Sequence, residues 1–390
     1  MSGGTHPLST DVMIAGGGPV GASLALALQD SGLRVTVLEA RRQPPDGDPR
    51  ALALSDGSRL ILERLGVWRR IAAATPIDTV HVSQRGGFGR TVLRAEDSGG
   101  GALGYVVDYA DLAAALQASL TDAGVDCRVG AEVTAVTPTR GGVTTAFIQQ
   151  HRTGEAQSAL LALADGGRLL ARLPAFEQRI HDYRQHAIVA RVTTNRPHRQ
   201  RAYERFTPQG PVALLPAGDA WALVWTVARE EADILLRLDA PAFLAVLQQR
   251  FGERAGAFLT VGARTAFPLY RKQTRPAATG HMAVIGNAAQ VLHPFAGQGF
   301  NLGLRDAWTL ADEIRRAAPG ELGAPAMLDR YRRRRALDAR GGAALTDTLM
   351  QLFLSDLPGL QWARGLGLAA LECLPGAKPF LLRRFIHGMG

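Results

Sequence analysis

The first forty residues constrain the fold most, because they place a glycine-rich turn between a predicted strand and a predicted helix. A buried strand is predicted by DVMIAGG, a helix that ends at Gly32 by PVGASLALALQDSG, and a second strand by RVTVLEA. A strand–helix–strand unit of this kind begins a parallel α/β sheet. The chain is therefore predicted to be an α/β protein from its first element.

The turn carries the pattern Gly16-x-Gly18-x-x-Gly21, and Glu39 ends the second strand. In such a turn the first glycine makes the tight bend, the second lets a pyrophosphate approach the backbone, and the third lets the helix approach the strand. The helix N-terminus offers N–H groups and positive dipole to phosphates, and Glu39 could accept both hydroxyls of an adenosine ribose. The pattern predicts a dinucleotide site; the carboxylate disfavours a 2′-phosphate, which leaves FAD and NAD.

A second glycine-rich stretch, residues 286–306, favours FAD over NAD. It reads GNAAQVLHPFAGQGFNLGLRD and follows the apolar strand MAVI. A flat tricyclic ring that lies on a loop needs small residues beneath it. The helix that begins near Gly299 could stabilise the negative charge that develops on the pyrimidine edge of a reduced flavin.

The composition excludes a disordered chain and gives no sign of nucleic-acid binding. Of the 390 residues, 46% are hydrophobic and 20% are charged, which is enough apolar material for a large core. The net charge of +9 is almost wholly arginine, since Lys272 and Lys378 are the only lysines. Because no basic and aromatic RNA-binding signature and no helix-turn-helix spacing accompany this charge, nucleic acid is not an expected partner.

Two further patterns bear on metal binding and location. Cys127 and Cys373 lie far apart without metal-ligand spacing, which predicts no metal site and suits a reducing compartment. No uninterrupted apolar segment reaches the ~18 residues of a spanning helix, and nothing positive precedes the apolar run at 12–28 as it would in a signal peptide. We therefore expect a cytoplasmic protein, either free or resting on the inner membrane.

Together with Arg50 in PRALALS and the Asp165-Gly166 pair after a strand, these motifs resemble the single-component FAD-dependent aromatic hydroxylases. Within that family the chain is most similar to the ubiquinone-biosynthesis hydroxylases that act on 2-polyprenyl-6-methoxyphenol. They carry Asn where Asn287 stands, followed by the run AAQxLHPxAGQGFNLGxRD. The stretches HVSQRG, ERFTPQGPVALLP and LVW add to the resemblance, which covers nearly the whole chain.

The resemblance implies a fold like that of para-hydroxybenzoate hydroxylase, in which a Rossmann-like FAD-binding domain is interleaved with an antiparallel β-sheet substrate domain and the C-terminus is helical. The expected FAD-binding domain comprises residues 1–75, 103–172 and 266–318. The expected substrate domain comprises residues 76–102 and 173–265. Residues 319–390 are expected to be helical and amphipathic, packed on the protein itself or available to a membrane or a partner helix.

The resemblance also implies the site residues. Glu39 would bind the adenosine ribose, Arg50 would lie near the pyrophosphate, and Asn287 would contact the ribityl chain. The full set of expected FAD contacts is Gly16, Gly18, Gly21, Glu39, Arg50, Asp165, Asn287, Pro294, Gly297, Gln298, Gly299, Phe300 and Asn301. The flavin carries the chemistry, so no catalytic side chain is assigned; His293 and Pro294 are the candidates, although a histidine before proline on a cofactor loop is as often structural. Arg205 and Phe206 are candidate substrate contacts.

The activity that follows from the resemblance is hydroxylation of a polyprenylated methoxyphenol with NAD(P)H and O₂, and no second GxGxxG motif is present for the nicotinamide cofactor. A greasy prenyl tail implies peripheral membrane contact or a ubiquinone-biosynthesis protein complex. One departure is DGGRLLAR, which has Leu169 where the family usually has Ser, while Arg172 fits. Three alternatives stay open: a sibling hydroxylase that acts on another ring position or aromatic, an NAD-dependent dehydrogenase, and a non-catalytic FAD-binding subunit.

Overall fold

The computed structural model describes residues 8–43, 48–86, 90–98, 101–293 and 297–336. Within these ranges the strands are β1 (Leu8–Ala15), β2 (Val35–Glu39), β3 (Ala51–Ser55), β4 (Ala74–Ile77), β5 (Thr79–Gln84), β6 (Arg90–Arg94), β7 (Gly104–Asp108), β8 (Asp126–Val129), β9 (Ala131–Thr139), β10 (Gly142–Gln149), β11 (Arg152–Leu163), β12 (Glu177–Thr194), β13 (Arg201–Thr207), β14 (Gly210–Ala217), β15 (Ala220–Ala228), β16 (Phe258–Val261), β17 (Thr265–Arg275), β18 (Ala278–Thr279), β19 (Met282–Val284) and β20 (Gln290–Val291). The helices are α1 (Pro19–Ala27), α2 (Asp56–Arg64), α3 (Tyr109–Asp122), α4 (Arg229–Arg237), α5 (Ala240–Phe251), α6 (Gln298–Arg316) and α7 (325–336).

The first sheet has the order β18-β19-β11-β1-β2-β8, with β10 and β9 paired beyond β11. The strands β19, β11, β1, β2 and β8 run parallel. Val12–Ala15 is buried because helices cover one face of the sheet, while β9, β10 and the turn Leu169–Arg172 cover the other. Leu24 of α1, Leu112 of α3 and Leu310 of α6 belong to the core cluster on one side. The predicted strand–helix–strand start and the α/β class are confirmed.

The second sheet has the order β20-β17-β12-β15-β14-β13-β5-β6, with β16 also paired to β12. Its pairs are antiparallel except β13 with β5, which is parallel because the chain reaches these strands from distant segments. One face packs on α5, where Trp225 lies against Phe243 with ring centroids 5.5 Å apart. The other face points towards the first sheet.

The structure moves one predicted domain boundary. Residues 266–318 were assigned to the FAD-binding domain, but β17 pairs along nearly its whole length with β12, from Thr265↔Val189 to Arg275↔Glu177. The strand therefore belongs to the second sheet, and the chain returns to the first sheet at β18. A third, small sheet, β3-β7-β4, lies beside the other two.

Only the beginning of the predicted C-terminal helical region is described. α7 is anchored by Tyr331, whose hydroxyl donates to the Val284 carbonyl at 3.1 Å, and by an ion pair between Arg335 and Asp306. The predicted amphipathic segment beyond it, residues 337–390, lies outside the described residues. Within the described ranges no helix is both long enough and apolar enough to span a bilayer.

Candidate active site

One cavity of about 1050 Å³ is lined by residues from all three sheets. Its walls include Gly16 and Glu39 of the N-terminal unit, Ala53 of the small sheet, and Phe206 on the second sheet. The two glycine-rich stretches, which are almost 270 residues apart in sequence, therefore face the same space.

The glycines of the first turn have three different surroundings. Gly16 has φ +109°, and a Cβ there would lie 2.6 Å from the carbonyl carbon and oxygen of Ala164. A Cβ at Gly21 would lie 2.0 Å from the Gly16 carbonyl oxygen, so the helix approaches the strand too closely for any side chain. A Cβ at Gly18 would meet nothing within 4 Å, which leaves open space at the N-cap of α1.

Glu39 is held at the end of β2 beside this turn. Its Oε2 accepts a hydrogen bond from the Gly17 N–H at 2.7 Å, and its Oε1 accepts one from the Arg41 N–H at 2.9 Å. Oε1 also accepts from Arg41 Nε at 3.2 Å, whereas Oε2 has a second lone pair with which it can still accept a hydroxyl donor. Glu39 thus presents an oriented acceptor to the cavity, next to the start of α1.

The N-terminus of α6 forms a second open helix end in the cavity wall. Gly297 is its N-cap with φ +62°, and a Cβ there would lie 2.8 Å from the Ala53 Cβ. Among the described residues no side chain caps this helix and no acid lies in its first turn. Because residues 297–301 line the cavity, the positive dipole end of the helix borders it. A Cβ at Gly299 would meet nothing within 4 Å, and Gln298 and Phe300 also line the cavity.

Asn301 fastens this helix start to β3. Its Nδ2 donates to the carbonyls of Ala53 and Gly297, both at 2.9 Å, and its Oδ1 accepts from the Ser55 N–H at 2.9 Å. The amide is buried and its polar atoms are engaged within the protein. Asn301 therefore lines the cavity and holds the helix start in position, and its contact with FAD stays a prediction.

Asn287 lies on a short 3₁₀ turn, Gly286–Ala288, directly after β19, and its exposed side chain lines the cavity. The Gly286 N–H donates to Asp306 Oδ2 at 3.0 Å. The other carboxylate oxygen of Asp306 lies 2.8 Å from Arg335 Nε, in a buried ion pair whose side chains are 2% and 8% exposed. The turn that carries Asn287 is thereby tied to α7.

The Asp165-Gly166 turn closes without a side-chain hydroxyl at position 169. Asp165 accepts hydrogen bonds from the N–H groups of Gly167 at 2.8 Å and Leu169 at 2.7 Å. The Leu169 side chain instead packs in the core beneath β1 and β11. Lys272 Nζ donates to the Gly166 carbonyl at 2.6 Å; desolvation lowers the pKa of this lysine, and the nearby Asp165 carboxylate opposes that effect.

Arg50 lines the cavity just before β3. Its guanidinium pairs with Asp48, with Nε 2.8 Å from Oδ1, and lies over the Tyr109 ring at 4.6 Å from the centroid. The Phe267 ring is on another side at 5.4 Å. The cation is thus oriented by two rings and a carboxylate.

His293 is buried outside the cavity lining. Its ring meets the Tyr183 ring edge to face, with centroids 5.4 Å apart, and burial lowers its pKa to about 4. The imidazole is therefore neutral near neutral pH. Pro294, the other candidate, lies outside the described residues.

The two candidate substrate contacts lie on opposite faces of β13. Phe206 lines the cavity, whereas Arg205 points to the far face, where its Nη1 is 3.4 Å from Ser83 Oγ. Adjacent residues of a strand always diverge in this way, so both could not contact the same ligand. The residue between Ala202 and Phe206 on the cavity face is Glu204.

Comparison with known proteins decides the family. The model of the FAD binding domain family matches residues 9–344. The ubiquinone hydroxylase UbiL of Rhodospirillum rubrum is 35% identical over 97% of this chain and 89% of its own length. The 3-demethoxyubiquinol 3-hydroxylase of Escherichia coli is 31% identical over 93% of this chain and 95% of its own. The chain belongs to the FAD-dependent ubiquinone hydroxylase family.

The fold comparison agrees with this assignment. The p-nitrophenol 4-monooxygenase PnpA of Pseudomonas putida superposes on the hydroxylase with a TM-score of 0.81, at 18% identity, over 98% of this chain and all of that one. The predicted fold class is therefore confirmed, as are the FAD cofactor and the monooxygenase class. The alternative of an NAD-dependent dehydrogenase is excluded.

The residues of the hydroxylase fit FAD on structural grounds as well. Gly18 and Gly299 both border open space, and the two helices that begin there have no side-chain cap. An elongated dinucleotide with a flat ring needs such bare backbone at its phosphates and at its ring. The family's usual reductant of the flavin is NAD(P)H.

Sequence reasoning missed one residue that lines the cavity, Glu204, and one that supports the Asp165-Gly166 turn, Lys272. Lys272 is one of two lysines in the chain and lies buried behind the Asp165-Gly166 turn. Glu204 is an acid in the middle of an otherwise alternating apolar strand, RAYERFT. Both residues could have been found from the sequence by the same signal. Each is a charged residue at a strand position that side-chain alternation assigns to the inner face of a sheet.

Proposed function

We propose that this chain hydroxylates the aromatic ring of a polyprenylated methoxyphenol during ubiquinone biosynthesis, using NAD(P)H and O₂. The carrying observation is that one cavity joins the dinucleotide cradle to an apolar sheet face. The names of the two curated relatives, a ubiquinone hydroxylase and a demethoxyubiquinol hydroxylase, support the same chemistry.

Residues on the first wall would hold the cofactor. Gly16, Gly18 and Gly21 shape the phosphate turn, Glu39 accepts the ribose hydroxyls, and Arg50 provides a cation near the pyrophosphate. Asn287 and the residues from Gly297 to Asn301 border the flavin side. Bound FAD supplies the redox chemistry, since it accepts hydride from NAD(P)H and activates O₂ for insertion into an aromatic ring.

Residues on the second wall would bind the substrate and exclude water. The lining from the second sheet and its neighbours is largely aliphatic, with Val80, Val82, Leu93, Ala202 and Leu215 among its members. A dry apolar wall suits a prenylated ring and prevents water from diverting the activated oxygen. Among the described lining residues, the charged side chains other than Glu204 lie around the first sheet and the loop before β3: Glu39, Arg41, Arg50, Glu132, Asp165, Arg168 and Arg172.

The prenyl tail of this substrate also supports peripheral membrane contact or membership of a biosynthetic complex as part of the proposal. Sedimentation of the full-length protein with vesicles of neutral and of anionic lipid tests the membrane contact. If the protein binds only vesicles that contain anionic lipid, its basic surface makes the membrane contact. If it binds neither kind of vesicle, delivery of the substrate by a partner protein is favoured.

The central test is the visible spectrum of the purified protein with NADPH or NADH, with and without a short-chain prenylated methoxyphenol. The proposal expects flavin absorption, bleaching that the phenol accelerates, and a product that gains one oxygen atom from ¹⁸O₂. Flavin-bound protein that forms no hydroxylated product from any prenylated phenol would contradict it.

The name of the Escherichia coli relative favours one second candidate, hydroxylation of the demethoxy ring at another position. Parallel turnover of methoxyphenol and demethoxy analogues with the same tail separates the two. The higher kcat/KM identifies the ring that the cavity accepts.

A further inference from the structure

Glu204 lies in the middle of β13, on the face of the second sheet that lines the cavity. In register it is opposite Ala213 on β14 and Val82 on β5. Ala202, two residues before it, packs with Val80, Leu93 and Leu215 in the apolar cluster on this side of the sheet. The half-buried carboxyl therefore projects from an aliphatic wall into the space proposed for the substrate.

The groups that face Glu204 from the adjoining strands carry no charge. Val80 and Val82 face it from β5, Thr91 and Leu93 from β6, and Ala213 from β14. Farther across the sheet, Val224 of β15 completes this part of the wall.

The surrounding elements carry two tyrosines that line the cavity and two arginines that are each paired with a carboxylate. Tyr109 and Tyr270 line the same cavity from α3 and β17, and Arg50 is paired with Asp48. On the same face of β12, Arg191 is paired with Asp108. Within the described part of the chain, no ion pair or hydrogen bond of the Glu204 carboxyl is formed.

Burial in this wall raises the pKa of Glu204 to about 8, with no contribution from a charged neighbour. The apolar wall disfavours the ionised carboxylate, and an apolar side chain would pack there at least as well. The presence of an acid at this position therefore indicates a function other than packing. The other acids that line the cavity differ from Glu204. Glu39 and Asp165 accept hydrogen bonds from backbone N–H groups, and Glu132 is exposed on β9.

We propose that Glu204 binds the phenolic hydroxyl of the substrate and accepts its proton. In this step the phenol O–H bond breaks, an O–H bond forms on the Glu204 carboxylate, and the electron pair stays on the phenol oxygen. The phenolate pushes electron density into the ring and prepares it for oxygen insertion. This inference rests on the proposed function, and it adds the residue that recognises and activates the ring.

The environment of Glu204 matches this task. A phenol has a pKa of about 10, so transfer to an ordinary carboxylate is unfavourable by more than five pKa units. At the Glu204 pKa of about 8 the gap is about two units, an improvement in the transfer equilibrium of roughly 10³-fold. Close matching of donor and acceptor pKa values is what general-base catalysis requires.

The first experiment measures binding to the FAD-loaded protein and needs no turnover. The probe is 2-methoxyphenol with a single dimethylallyl group at position 6, compared with its methyl ether, which has no proton to give. Ultraviolet difference spectra detect the red shift of a bound phenol that donates to a carboxylate, and tryptophan fluorescence gives the affinities. The variants are Glu204→Gln, Glu204→Leu and the matched control Glu155→Gln, which makes the same change at an exposed position on β11.

At a gap of about two pKa units about one bound phenol in a hundred is ionised, so the expected signal is a red shift of the phenol band caused by its hydrogen bond to the carboxylate. We expect this shift to grow in the wild type and in Glu155→Gln as the pH rises through about 8. Glu204→Gln keeps a neutral hydrogen-bond acceptor, so its affinity for the phenol should stay within about threefold while the pH dependence of the shift is lost. Glu204→Leu should lose about 10-fold in affinity for the phenol and nothing for the methyl ether. The same pH-dependent shift in Glu204→Gln would overturn the inference.

The second experiment measures hydroxylation of the same probe against pH. Wild-type turnover should rise with pH through about 8, and Glu204→Gln should be slower by about 100-fold or more with no such rise. If wild type hydroxylates and Glu204→Gln does so equally well with the same pH profile, Glu204 has no such role and the proposed function stands. If wild type forms no product, the proposed function fails, and the difference spectra still decide whether the Glu204 carboxylate binds the hydroxyl of a phenol.

Discussion

Under the proposed function the two walls of the cavity recognise their ligands by different means. The FAD wall would bind through bare backbone: tight glycines, two helix ends without a side-chain cap among the described residues, and a turn closed by Asp165. The substrate wall works through side chains on one face of a sheet, with Glu204 among aliphatic residues. Recognition by the backbone requires glycine at fixed spacing in the sequence. Recognition by side chains on a sheet requires only that the residue points to the correct face and that its strand pairs in the correct register.

The largest expected effect concerns the closest backbone approach on the FAD wall. Gly21→Ala would place a Cβ 2.0 Å from the Gly16 carbonyl oxygen, so the helix must move away from the strand. We expect a loss of at least about 4 kcal/mol of unfolding free energy together with loss of bound flavin. Urea unfolding and the flavin content of the purified protein measure the two effects.

Gly18→Ala is the matched control, because the same methyl group would enter open space at φ −64°. The flavin-free protein should unfold within about 0.5 kcal/mol of the wild type, while FAD binds more weakly. If both variants lose the same unfolding free energy, the backbone at Gly18 is packed against the protein, and the space beside it is not available to a ligand.

The second prediction concerns the support behind the FAD wall. Arg335→Met removes one partner of a buried ion pair and leaves Asp306, which holds the Gly286 N–H, without its counter-charge. Breaking such a pair from one side costs about 3–5 kcal/mol. The exposed pair of Arg70 with Asp122 provides the control, since Arg70→Met should cost no more than about 1 kcal/mol in the same urea titration.

A double variant distinguishes an uncompensated charge from simple loss of packing. Arg335→Met with Asp306→Leu removes both charges, so it should be more stable than Arg335→Met alone. If the double variant is less stable by the sum of the two single effects, the ion pair is not the reason for the loss.

This contrast between the walls explains what the sequence could predict. The spacing of Gly16, Gly18 and Gly21 predicts one strand–turn–helix geometry, and the structure has it. The parallel pairing of β13 with β5 could not be predicted, because it joins segments more than 100 residues apart through tertiary packing. Without that register, Arg205 and Phe206 were both assigned to the substrate side, although neighbouring residues point to opposite faces.

The third prediction follows the sign of the Glu204 pKa shift. Folding raises the pKa of this acid from 4.5 to about 8, so the folded state holds a proton that the unfolded state has released between these values. Stability attributable to Glu204 is therefore full below about pH 4.5, falls as the pH rises to about 8, and is constant above it. Glu204→Gln removes this loss.

Since the carboxyl is only half-buried, we expect Glu204→Gln to gain about 1–3 kcal/mol over the wild type above pH ~8 and almost nothing near pH ~5. Thermal unfolding of both proteins across this range measures the difference, and Glu155→Gln should follow the wild type throughout. A constant offset at every pH would mean that Glu204 is not protonated in the folded apolar wall.

The smallest effect belongs to a helix that, unlike α1 and α6, has a side-chain cap. Ser55 Oγ accepts from the Ser58 N–H at 3.2 Å at the start of α2, and Ser55→Ala should cost about 1 kcal/mol while Ser55→Gly costs only a few tenths. The bond from the Ser55 N–H to Asn301 Oδ1 uses the backbone and survives both changes, so FAD affinity should not move. Loss of flavin in Ser55→Ala would show that the two kinds of helix end are coupled. Unchanged affinity with lower stability would show that capped helix ends serve the fold and open ones serve the cofactor.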